Sequence, residues 1–164
     1  MFRRVFPVLA VILLAAADTS VVPVLSSGWI YPLLSYTSVL TFGLLLGRTR
    51  GALCGIIAGL VIDTTVGLPF GLMTVLYGLG GYAAGFAGRK MRRNILNTLI
   101  VPLICLALTE LGMIAYSAIA GADFYAAQLG RAGIRTLINV ALVQVEYILF
   151  HLICQPQTGR YEMR

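Results

Sequence analysis

The sequence predicts an all-α integral membrane protein: six transmembrane helices with both termini cytoplasmic, in a single polytopic domain over residues 1–164. Three observations carry that expectation: the balance of apolar to charged residues, six apolar runs near spanning length, and an uneven distribution of Arg and Lys among the connections. Of the 164 residues, 59% are hydrophobic and 11% charged, whereas soluble domains carry about 25% charged residues. A soluble fold this small has too little interior to hide so much apolar surface. In a bilayer the lipid solvates the outer face.

A span needs about 20 apolar residues at 1.5 Å rise each. The runs that approach this cover 5–25, 29–46, 51–66, 70–88, 95–120 and 134–154. The first has features of a secretory signal peptide: Arg3 and Arg4, an apolar stretch to Leu14, then Ala15-Ala16-Ala17. Apolar character resumes after Asp18 through Leu25, which favours an uncleaved first span. Trp29, Tyr31 and Tyr36 fall where an interfacial aromatic belt is expected, and the connection at 121–133, with Phe124, Tyr125 and Leu129, reads as a short interfacial helix. No repeat of fixed period stands out.

The net charge of +6 sits in short clusters between apolar runs, which speaks for topology signals and against nucleic acid as a partner. With the N-terminus inside, the inner side holds Arg3, Arg4, Arg48, Arg50, Arg89, Lys90, Arg92, Arg93, Arg160 and Arg164, and the outer side only Arg131 and Arg135. An odd number of spans would destroy this asymmetry. The cluster Arg89, Lys90, Arg92, Arg93 is the expected cytoplasmic anchor against lipid headgroups.

Cys54, Cys105 and Cys154 each lie within an apolar run and read as small buried hydrophobes. The single histidine, His151, is weak evidence for a ligand. No cofactor or metal site is expected. There is no Ser-His-Asp order, phosphate-binding loop or zinc motif, so an enzymatic role is not expected either.

The densest pattern lies in the third and fourth spans. Gly51, Gly55, Gly59 and Asp63 recur every four residues and share one side of a helix. Gly78, Gly81, Gly85 and Gly88 continue the theme, and such small-residue faces let membrane helices approach closely. Asp63 falls about 18 Å above Gly51 at helical rise. It opposes its own helix dipole there and needs compensation. Two sources are open: the free amides at the start of the fourth span after Pro69, or Arg131 or Arg135 as an ion-pair partner. Asp18, Glu110 and Glu146 are three further acids within spans. Intramembrane acids are functional candidates, and the alternative is a structural network with Arg131, Arg135, Gln144, Thr64 and Thr65.

From Gly55 to Gly85 the chain reads G-I-I-A-G-L-V-I-D-T-T-V-G-L-P-F-G-L-M-T-V-L-Y-G-L-G-G-Y-A-A-G. A glycine helix leads into Gly-Leu-x-x-Asp, a Gly-x-Pro-x-Gly-Leu turn and a Gly-Tyr-x-x-Gly close. This stretch resembles MreD, the multispanning rod-shape-determining family of bacteria; the rest of the chain agrees in size and hydropathy. The resemblance places the family motif on Gly59, Asp63, Pro69, Gly71, Tyr77, Gly81 and Gly85. It implies a bundle similar to the substrate-binding S-components of energy-coupling-factor transporters, in the bacterial cytoplasmic membrane. It further implies a non-enzymatic scaffold of the cell-elongation machinery. The implied partners are an MreC-like bitopic protein, a RodA-type glycosyltransferase with its penicillin-binding protein, and the MreB filament. The alternative is an S-component that binds a vitamin or other small molecule.

Overall fold

The computed structural model describes residues 2–20, 32–66, 71–90, 95–119, 121 and 126–153. These residues form six helices and no strand: α1 (Phe2–Ser20), α2 (Leu34–Leu46), α3 (Arg48–Val66), α4 (Leu72–Lys90), α5 (Ile95–Ile119) and α6 (Ala126–Ile153). Each answers to one apolar run of the sequence. Two stretches, Thr98–Ile119 and Gln128–Phe150, are long and apolar enough to cross a membrane, while α1, α2 and α4 contain shorter apolar stretches.

Helix α2 is the pillar of the bundle. It packs against α1, α3, α4, α5 and α6, and every residue from Ser35 to Gly43 is buried. It is shorter than expected, because Pro32 and Leu33 are not helical and its first turn begins at Leu34. At its other end Gly47 has a φ of 95°, a left-handed conformation that glycine adopts without strain, and the chain turns directly into α3. Arg48 and Arg50 therefore stand in the first turn of α3 rather than in a loop. The Arg48 guanidinium lies 5.1 Å from the centre of the Phe86 ring on α4.

Tyr36 is in the core, at 1% exposure, and not at an interface. Its ring stacks on Tyr77 of α4 with centroids 4.3 Å apart. Trp29 and Tyr31 lie outside the described residues. A second aromatic group, Phe6, Phe42 and Phe150, ties α1, α2 and α6 together.

Helices α3 and α4 meet backbone to backbone, as the glycine spacing predicts. A Cβ added at Gly51 would strike the carbonyl of Gly81, one at Gly55 the carbonyl of Tyr77, and one at Gly59 the backbone of Thr74. The partner residue steps back along α4 as the glycine steps forward along α3, so the pair is antiparallel. Gly43 of α2, which the sequence reading passed over, belongs to the same contact: its Cβ would meet Gly81 and Ala84. Gly85 approaches Gly47 and Arg48 in the same way.

The last helix begins earlier than expected. Leu129 and Arg131 are residues of α6, continuous with Arg135, rather than of a separate interfacial helix. Only glycines at 130 and 133 interrupt the helix-forming character there, and each costs a helix no more than about 1 kcal/mol. Phe124 and Tyr125 lie outside the described residues.

Replacing Gly55 or Gly59 by Ala should lower the unfolding temperature in detergent, with a loss of at least about 1–3 kcal/mol from overpacking against backbone; Gly59→Leu should be worse. Gly133→Ala, where an added Cβ meets nothing within 4 Å, should be neutral or stabilising by up to about 1 kcal/mol. Equal shifts at all three positions would show that α3 and α4 are not in backbone contact.

Candidate functional site

Among the described residues, buried polar side chains lie on α2 (Ser35, Thr37, Ser38, Thr41), α3 (Asp63), α5 (Thr109, Glu110) and α6 (Thr136, Asn139). Asp63, at 2% exposure, stands one turn from the end of α3 and reaches across to the beginning of α4. Its Oδ2 accepts from the backbone N–H of Gly71 at 3.1 Å and of Thr74 at 3.0 Å, and from the Thr74 hydroxyl at 2.7 Å. Its Oδ1 accepts from the N–H of Met73 at 3.0 Å. The first turn of a helix has no internal partners for its N–H groups and carries the positive end of the dipole. The carboxylate therefore meets both a hydrogen-bonding and an electrostatic need. Gly71, with a φ of 107°, sets the angle at which the chain enters α4. Of the two sources of compensation open in the sequence, the amides of α4 supply it. Pro69 lies outside the described residues.

Asp18 does the same for α2. Its carboxylate accepts from the N–H of Leu34 at 3.0 Å, the N–H of Ser35 at 2.7 Å and the Ser35 hydroxyl at 2.5 Å. The two hairpins match in further detail. Thr19, next to Asp18, donates its hydroxyl to the carbonyls of Ala15 and Ala16, and Thr64, next to Asp63, donates to those of Leu60 and Val61. Asp-Thr-Ser at 18–20 and Asp-Thr-Thr at 63–65, each followed by a hydroxyl residue at the start of the next helix, were the sequence signal for this duplication. With no fixed period between the copies, a search for repeats passes over it.

Glu110 of α5 is paired with Arg135 of α6. The guanidinium engages both carboxylate oxygens, with Nε donating to Oε1 at 2.6 Å and Nη2 to Oε2. Such a two-pronged pair satisfies a buried carboxylate well. Arg135 thus serves Glu110 rather than Asp63, and Arg131 is exposed.

Glu146 of α6 faces α2. The Thr37 hydroxyl lies 3.0 Å from Oε1 and the Thr41 hydroxyl 3.4 Å from Oε2. Near it on α6, Asn139 is fully buried and accepts from the N–H of Leu33 at 3.0 Å, fixing the residue that precedes α2. Gln144 donates to the carbonyl of Thr98 at 2.9 Å. That carbonyl is the one left without a helical partner by Pro102, four residues on, whose ring nitrogen has no hydrogen. In an apolar bundle a neighbouring helix has to repair such a gap. Thr64 and Thr65 bond to their own helix and take no part in the acid network.

Tyr77 of the glycine motif is fully buried against Tyr36, and its hydroxyl has no hydrogen-bond partner. The Tyr36 hydroxyl is better served, 2.9 Å from the Thr109 hydroxyl and 3.3 Å from the Cys105 carbonyl. Cys54 and Cys105 are buried free thiols, as expected, and Cys154 lies outside the described residues. Arg92 and Arg93 of the basic anchor also lie outside them; Arg89 and Lys90 close α4. Among the described residues no group of His, Cys, Asp and Glu is arranged to hold a metal ion. No family model, curated protein or solved structure matches the chain.

Asp63→Ala should destabilise the protein by about 2–3 kcal/mol, because it strands the first amides of α4; Asp63→Asn, which keeps the acceptor oxygen, should lose less. Thermal unfolding in detergent reads the difference, and identical curves for Ala and wild type would remove the cap from the fold. Removing one member of the ion pair, as in Arg135→Met, should cost about 3–5 kcal/mol, and pairing it with Glu110→Met should recover most of the loss. A double variant no better than the single would mean that the two groups do not depend on each other.

Proposed function

We propose that this chain is a multi-pass protein of the bacterial cytoplasmic membrane, crossing it six times with both termini inside, and that it acts as a non-enzymatic scaffold of the cell-elongation machinery. The observation that carries the reading is the state of the Gly-Leu-x-x-Asp motif. Its aspartate, the residue best placed to do chemistry, is engaged by three amides and a hydroxyl of its own hairpin. Its glycines bring α3 and α4 into backbone contact. The motif therefore builds a shape. That suits a protein that presents helix surfaces to other membrane proteins.

The outer surface supports the membrane reading. Large apolar side chains stand exposed on α1, α3, α4, α5 and α6, among them Leu13, Leu53, Leu79, Leu108 and Leu137. The two stretches of spanning length are only 28% buried within the bundle. The central helix of a soluble protein would be mostly covered; these present their apolar side outward, where lipid is the natural solvent. The short α2, about 20 Å long, suits a helix enclosed by the other five and reaching the interface through its capped start.

The partners follow from the resemblance to MreD: an MreC-like bitopic protein first, then a RodA-type glycosyltransferase with its penicillin-binding protein, and the MreB filament through them. Peptidoglycan synthesis and maintenance of cell shape would be the processes supported. Membrane helices that recognise each other do so by close packing of small residues and by interhelical hydrogen bonds. Asp18, Asp63 and Glu110 are engaged within the bundle, which leaves the exposed apolar faces as surfaces for recognition by packing.

Mild crosslinking in the native membrane followed by purification should recover an MreC-like protein with the chain. Its consistent absence, with the protein intact, would overturn the scaffold reading. A reporter fused after Arg93 should read cytoplasmic; a periplasmic signal there would overturn the six-span topology.

A further inference from the structure

The four acids inside the bundle are not equally compensated. Asp18 and Asp63 each sit on the positive end of a helix and accept from its amides. Glu110 has the Arg135 guanidinium. Glu146 faces neither a helix start nor an ion-pair partner among the described residues. Its surroundings are hydroxyls. Thr37 and Thr41 touch its two oxygens, and the fully buried Ser38 hydroxyl, which makes no other hydrogen bond among the described residues, faces the same carboxyl from the next position of α2.

The proton count makes the difference sharper. Each hydroxyl carries one hydrogen. The Thr37 oxygen also lies 2.9 Å from the Leu34 carbonyl, and the Thr41 oxygen 2.9 Å from the Thr37 carbonyl. With the Ser38 hydroxyl, three hydrogens thus face four acceptors: the two backbone carbonyls and the two carboxylate oxygens. If the two threonine hydroxyls serve their own helix, Oε1 and Oε2 face their lone pairs and Ser38 alone is left to donate. An ionised carboxylate so placed is left without compensation in a medium where an isolated charge is costly. One added positive charge offsets the charge of the carboxylate and takes up the lone pairs that face it.

We propose that Glu146, with the hydroxyls of Thr37, Thr41 and Ser38, forms a binding site for one small monovalent cation, a proton or a sodium ion, between α2 and α6. A proton would convert the carboxyl into a donor. Sodium would take the carboxylate and the hydroxyl oxygens as hard ligands, the chemistry such an ion favours. Among the described residues the other charged group that acts on Glu146 is a second acid, Asp18 of α1. The α5 acid, Glu110, is neutralised by Arg135. His151 follows five residues on, about 140° round the helix from Glu146, and its side chain lies outside those described. The site is independent of which proteins bind the outer surface.

The test uses the full chain in nanodiscs with Glu146→Gln, which mimics the protonated acid in shape and keeps a donor. Infrared spectroscopy at neutral pH should show a protonated-carboxyl C=O band in wild type that is missing in Glu146→Gln and displaced in Thr37→Val; that outcome identifies the proton. Alternatively, roughly 0.1 M NaCl in place of choline chloride should raise the unfolding temperature of wild type by at least about 2 °C by mass action, and not that of Glu146→Gln; that outcome identifies sodium. Wild type with no such band and no sodium response has an ionised, unoccupied Glu146, and overturns the site.

Discussion

The structure depends on a carboxylate from one helix supplying the hydrogen bonds that the next helix lacks at its start. In water, free N–H groups at a helix start are solvated without help. Inside a bundle that turns its apolar side chains outward, they must be met by protein. Asp18 and Asp63 meet them from the end of the preceding helix, so each cap also acts as a clamp on its hairpin. The position of the α2 start relative to α1, and of the α4 start relative to α3, is fixed by bonds of 2.5–3.1 Å.

Fixed joints make close packing productive. The glycine face of α3 meets the backbone of α4 only in one register, and the joint at Asp63 holds that register. The same economy of polar groups governs α2 and α5. A proline opens the α5 hydrogen-bond ladder at Thr98, and Gln144 closes it from α6. Leu33, just before α2, gives its N–H to Asn139. In each case a polar side chain of one helix repairs a backbone gap in another, so the helices are joined by obligation as well as by shape. The apolar exterior can then vary in detail without loosening the interior.

Much of this was legible in the sequence because hydropathy and small-residue spacing are coarse, one-dimensional signals. Six apolar runs gave six helices. The four-residue glycine spacing gave the α3–α4 contact, and Asp63 after the glycines marked a carboxylate in need of compensation, by amides or by an arginine. What escaped lies in relations between distant segments. Asp18 read as one acid among several, since the residues it caps are sixteen and seventeen positions away. Gly43 has no glycine neighbours at helical spacing on its N-terminal side, and only the fold brings it against Gly81. Tyr36 looked interfacial because hydropathy cannot tell a tyrosine at a helix start from one stacked in the core. Arg135 was placed by its charge at the outer end of the last span, as a topology signal. In the fold a glutamate on the neighbouring helix allows a guanidinium to stand within a half-buried helix.

Charge compensation also bears on what such a bundle can do. Asp18, Asp63 and Glu110 are each answered by a positive group that the fold itself supplies: a helix start for the first two, a guanidinium for the third. Changing those residues changes architecture, and a scaffold needs them for no more than that. Glu146 differs because the fold offers it hydroxyls, which can accept a cation as readily as they can donate a hydrogen. It joins α6 to the pillar helix that touches every other helix in the bundle. A single charge gained or lost there acts on the packing of α2 against α6, and α2 carries any resulting shift to the rest of the bundle. A cation bound at Glu146 would therefore act at the helix that the rest of the bundle packs against.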